Sequence, residues 1–182
     1  MRSKMVAVTA LLSALVGAGF GSVSARAQQA RAEHPIPWSI QLDHQEMIQR
    51  LAALSREQPP VGPAAQQALE LLQAHIKREE EFILPPLALL PQIADGKITP
   101  DMRWAVAMAD RVKAEREEIF HEHTMITDAM NNLAAAADHA QNAEALDFAR
   151  AAVADSLSDM ELMEPMTVVI GDYIRAKLPP AQ

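Results

Sequence analysis

The stretch His75-Ile-Lys-Arg-Glu79-Glu-Glu-Phe-Ile-Leu-Pro-Pro86 places ionisable groups where a helical core should run. Upstream lie Ala65, Ala68 and Leu72, and continuing their alternating steps of three and four lands on His75, Glu79 and Phe82. Such steps trace one face of a packed helix. An imidazole and a carboxylate one turn apart therefore point at the interior together. Taking an unpaired charge out of water is costly, so a metal ion, or a partner group from another helix, has to offset it.

The same pattern recurs on either side of this stretch. After an extended entry segment, His34-Pro-Ile-Pro-Trp38, a helix is expected over 39–56 with Ile40, His44, Met47, Leu51 and Leu54 on one stripe, so His44 holds a core position. Gln58-Pro-Pro-Val-Gly-Pro63 reads as a loop whose last proline suits a helical first turn. The second helix, 63–84, ends or kinks at Pro85 and Pro86, and a softer segment follows to Gly96. Thr99-Pro100-Asp101 is a helix start. The third helix, 100–138, carries Val112, Ile119, His123, Ile126, Met130 and Leu133 on its seam. His121 lies about 200° around the helix from His123 and flanks the seam or faces solvent. The fourth helix, 143–177, has the seam Ala145, Phe148, Ala152, Asp155, Asp159, Leu162, Met166 and Val169, with two acids on a core line. No stretch reads as a strand.

The two halves correspond. His44 to His123 is 79 positions, while His75 to Asp155, Glu79 to Asp159 and Pro85 to Pro165 are each 80. A duplicated helical hairpin is the simplest source of that offset. The expected fold is all-α, an antiparallel up-down-up-down four-helix bundle with His44, His75, Glu79, His123, Asp155 and Asp159 converging in one layer, as metal sites in bundle cores are built.

These residues resemble the hemerythrin-like (HHE cation-binding) domain family. Its pattern is a His on one helix, then His-x3-Glu with an apolar stretch and a proline on the next, the whole repeated. Asp43-His44 and His75-x3-Glu79-Glu80 with Pro85 match the first half, Glu122-His123 matches the start of the second, and the likeness covers roughly residues 35 to 177. The resemblance implies a bundle that binds non-haem iron, usually two ions bridged by carboxylates, and handles dioxygen or a related small oxidant. The second half departs from the pattern: Asp155-x3-Asp159 stands where His-x3-Glu should, and the positions four residues from His123 are Ile119 and Thr127. Three imidazoles with three carboxylates are closer to the carboxylate-bridged sites of ferritin-like bundles. The half-site of His44, His75 and Glu79 is expected to hold its ion more tightly than that of His123, Asp155 and Asp159.

Other polar groups have plainer readings. His34 and His139 are expected at the surface, and Glu118-x2-His121 has a ligand-pair spacing but the wrong direction relative to the seam. Glu80, Glu81, Glu161 and Glu164 are expected to be solvated or to orient ligands. Met125, Met130, Met160, Met163 and Met166 are expected to pack the core.

The first residues read as an export signal: basic Arg2 and Lys4, an apolar run from Met5 to Phe20, and small residues at Ala25-Arg26-Ala27. Residues 1–27 would be removed and 28–182 would form one exported, periplasmic or secreted domain. Of the 16 basic residues, the loss of Arg2, Lys4 and Arg26 leaves 13 against 24 acids, a net charge of −11. So acidic a chain offers no footprint for nucleic acid or an anionic membrane. With no cysteine, disulfides, thiolate sites and lipid attachment through sulfur are excluded. Three function classes follow: a protein that senses, stores or buffers iron or oxygen species; a ferroxidase or peroxidase-like enzyme using the same metal; or a metal-free helical interaction module. No side-chain nucleophile with a positioned base is present, so any catalysis would be the metal's.

Overall fold

A computed structural model describes residues 34–180; the expected leader lies outside the described residues. All regular structure among the described residues is helical. The α-helices are α1 Trp38–Leu54, α2 Val61–Arg78, α3 Leu90–Ala94, α4 Trp104–Ala114, α5 Arg116–His139, α6 Ala143–Ser158 and α7 Glu164–Lys177. Helix α1 packs on α2, α2 on α5, α5 on α6, and α4 on α7. None is long and apolar enough to cross a membrane.

Two of the expected helices are continuous only through a widened turn. A π-turn at Glu79–Ile83 extends α2, and another at Asp159–Met163 joins α6 to α7. Each ends two residues before a proline, Pro85 or Pro165, which has no N–H to give the helix and whose ring crowds the carbonyl one turn back. The backbone N–H of Leu84 instead reaches the Glu79 carbonyl at 2.8 Å, and that of Glu164 reaches Asp159. Because Pro85 and Pro86 cannot donate, neighbouring carbonyls need other partners; the buried Thr167 hydroxyl donates to Ile83. The expected third helix is also interrupted, at Glu115 (φ −98°, ψ 10°), where Arg111 and Arg78 hold the carboxylate at 2.7 and 3.1 Å.

The second π-turn shifts the seam expected for the last helix. Leu162, Met166 and Val169 face solvent, while Glu164, Thr167, Ile170 and Ile174 turn inward; Asp155, ahead of the turn, is exposed independently of it. An extra residue in one turn rotates everything after it. Met125 is exposed as well. His34, expected at the surface, is half-buried with its ring stacked on Trp104 at 3.7 Å; His121 and His139 are exposed.

Apolar side chains form separate clusters above and below one polar level. Leu51, Leu72, Ile76, Ile126, Met130 and Ala152 belong to one. Leu84, Met102 and Ile170 belong to a second, with Ile40 packed on it, and Phe82, Ile83, Val112 and Ile119 to a third. Along each helical run the ionisable residue falls between clusters: His44 after Ile40 and before Leu51, Glu79 between Ile76 and Phe82, His123 between Ile119 and Ile126, and Glu164 between Ala152 and Ile170.

Helices α4 and α7 approach closely enough to require glycine. A Cβ on Gly171 would lie 2.2 Å from the Ala109 Cβ and 3.1 Å from the Ala105 carbonyl oxygen. Alanine would gain about 1 kcal/mol in helix propensity, but overpacking costs roughly 1–3 kcal/mol. Gly171→Ala should therefore lower the melting temperature by several degrees; an unchanged or raised value would contradict the close crossing.

Candidate metal centre

All six residues singled out in the sequence line one small cavity: His44, His75, Glu79, His123, Asp155 and Asp159. They do not contribute alike. His44, His75, Glu79 and His123 are buried, Asp159 is half-buried and Asp155 is exposed. The tightest group draws on both halves: one ligand atom each from His75, Glu79 and His123 lie within 4.8 Å of one another.

Each imidazole is tethered on its outer nitrogen and turned inward on the other. His44 Nδ1 lies 3.4 Å from Glu80 Oε1, His75 Nδ1 3.0 Å from Glu122 Oε2, and His123 Nδ1 3.0 Å from Ser156 Oγ. Arg78 Nε, 3.3 Å from Glu122 Oε1, holds that carboxylate in place. An ionised carboxylate can only accept, so Nδ1 of His44 and of His75 carries the proton. Nε2 is then the nitrogen facing the cavity. His44 Nε2 is 3.4 Å and His75 Nε2 3.3 Å from the two oxygens of Glu79, and His123 Nε2 is 2.9 Å from Glu164 Oε1. Outer groups that orient imidazoles in this way are typical of metal ligation.

Glu164 was not among the expected ligands, yet it is buried and faces His123. In a regular helix it would sit about 140° from Asp159, but the π-turn, in which the Glu164 N–H bonds the Asp159 carbonyl, narrows that angle. The repeat contained a signal for it: 80 positions earlier stands Leu84, fully buried, also immediately before a proline.

Despite the short separations, His75 Nε2, His123 Nε2 and Glu164 Oε1 make no hydrogen bond among the described residues. Buried polar atoms without partners are rare and costly, and here nitrogen and oxygen lone pairs converge. A cation satisfies that arrangement, and the donor set of imidazole and carboxylate suits first-row metals such as iron. The cavity offers about 20 Å³ to a water-sized sphere, room on the scale of one such particle.

Without a cation, protons must hold the cluster together. Burial alone would lower the pKa of His75, but Glu79 and Glu122 outweigh it and raise it to about 9. Burial works against ionisation of Glu79 too, yet His75, His44 and His123 keep its carboxyl below the usual range. Asp159 is pushed up to about 7 by burial and by the charge of Glu79. Asp155 is raised by burial and by Asp43.

Ser156 follows from no periodicity rule, since its hydroxyl matters only through His123. Ser156→Ala should leave the fold intact while lowering metal affinity about tenfold, the low end of outer-shell effects. A competition titration showing unchanged affinity would remove the orienting role. Compared with protein-family models, with curated proteins and with solved structures, the chain gives no match.

Proposed function

We propose that this chain is a metal-binding protein of hemerythrin type, holding non-haem iron between the halves of an antiparallel up-down-up-down four-helix bundle. The observation that carries the reading is the common posture of three buried imidazoles, each fixed at Nδ1 by an outer group and presenting Nε2 to a buried carboxylate, Glu79 for His44 and His75 and Glu164 for His123. The bundle is supported by four helical runs that each cross the polar level once: α1, α2 with its π-turn, α4 with α5, and α6 with α7. Its duplicated origin is supported by the recurrence of π-turn and proline at the same offset.

One ion is held firmly by His75, Glu79, His123 and Glu164; a second, toward His44 and Asp159, is weaker. Bound iron supplies electron exchange with dioxygen or another small oxidant, which no side chain in the cavity provides. The residues themselves bind and orient the ion and, through the apolar clusters on either side, limit water. The biological role is storage, buffering or sensing of iron or oxygen species in an exported protein. Anaerobic titration of the apoprotein with iron(II) tests this: one tight equivalent is expected, followed by a weaker one. No uptake would reject the reading.

A further inference from the structure

We propose that the groove between α1 and α6 is the entry route by which a divalent cation reaches the buried cluster, with Asp43, Glu46 and Asp155 as its electrostatic collector; this rests on the metal-binding reading above. The groove has a volume of about 370 Å³ and shares His44, Met47, Ala152, Asp155 and Asp159 with the inner cavity. Apart from the cluster residues His75, Glu79 and His123 and the hydroxyl of Ser156, the rest of the inner wall is buried and apolar, formed by Leu72, Ile76, Ile126 and Met130. A hydrated cation has nothing to exchange its water for on that side. On the groove side it meets carboxylates all the way in.

The charges of the groove are one-sided. Asp43, Glu46, Asp155 and Asp159 line it, and none of them forms an ion pair among the described residues. By contrast Glu80, Glu81, Glu115, Glu118 and Glu122, around the same cluster, are each matched by a histidine or an arginine. The single basic residue lining the groove, Arg50, is turned to Glu144 at 3.4 Å and lies over the Phe148 ring at 4.9 Å. At the inner end stand the unpartnered Nε2 atoms of His75 and His123, in side chains 3% and 1% exposed. A cleft lined by one sign of charge, closing on low-dielectric walls, concentrates counter-ions and raises their rate of arrival.

The route is tested by stopped-flow loading of apoprotein with cobalt(II), followed by its visible absorption, at low and high ionic strength. Asp43 and Glu46 are exposed and outside the ligand set, so the double variant Asp43→Asn/Glu46→Gln should fold and bind the same equivalents of cobalt. It should load about tenfold more slowly at low salt. The wild-type rate should fall with salt more steeply than the variant's. Ala151→Lys, which puts a cation into the groove, should slow loading without changing the end point. Unchanged rates in both variants, with full cobalt uptake, would overturn the route and leave the metal site standing. A variant that loses equilibrium binding along with rate would place Asp43 or Glu46 in the site itself and overturn their role as collectors. Wild-type protein that takes up no cobalt would overturn both.

Discussion

Replacing His75 with alanine should abolish tight metal binding, whereas Asp155→Ala should weaken it only a few-fold. His75 stands at the centre of the cluster: Nδ1 is held by Glu122, Nε2 has no hydrogen-bond partner, and its ring meets that of His123 edge-on at a centroid separation of 4.2 Å. Its loss removes a nitrogen donor and leaves Glu79 with one fewer cation in a buried site, where an uncompensated charge costs several kcal/mol. Asp155 lines the cavity but is exposed, and lies outside the group whose ligand atoms come together. Glu164→Gln should fall between these, because an amide keeps the shape but not the charge. The readout is competitive titration with a metal indicator. Equal losses in His75→Ala and Asp155→Ala would mean that the inner cluster is not the binding site.

The metal-free and metal-loaded proteins should respond to pH in opposite directions. In the metal-free protein His75 has a pKa of about 9, above its unfolded value of 6.5. The stabilisation this represents is complete below the unfolded value and is lost as pH rises through 9. Asp159, at about 7 in the folded state against 3.8 unfolded, has the same sign: its neutral form favours the fold at low pH, and the advantage is lost as pH rises through 7. Glu79, held down by the imidazoles, acts the other way but only below its unfolded pKa. Between about pH 5 and pH 9 these groups therefore make metal-free protein less stable as pH rises. A bound ion replaces those protons, so its affinity grows over the same range. At a hundredfold excess over Kd it adds about 2.7 kcal/mol, worth roughly 5–10 °C in a domain of this size. Thermal melts with iron or zinc and with chelator should accordingly diverge as pH rises, and parallel curves would contradict displacement of protons by the ion.

His44, His75, Glu79 and His123 were legible because the helices that carry them keep a regular period up to the cluster, so steps of three and four predict their direction correctly. The apolar neighbours Leu51, Leu72, Ile126 and Met130 confirm that phase by their burial. The last helix was legible in its extent but not in its facing. A period of 3.6 residues cannot anticipate the π-turn at Asp159–Met163, which brought Glu164 inward and left Leu162 and Val169 in solvent. Only the comparison with Leu84 and Pro85 in the first half carried that information. The outer partners Glu122 and Ser156 were illegible for a different reason: they depend on which nitrogen of a ring faces which helix, and periodicity does not encode this.

Anomalous diffraction from crystals of the iron-loaded protein, measured on either side of the iron absorption edge, would locate the ion. A strong peak is expected among His75, Glu79 and His123, on the side of Glu164, with weaker density or none toward His44 and Asp159. Crystals that give no peak there, or a peak only on the exposed carboxylates of the groove, would contradict a buried metal centre.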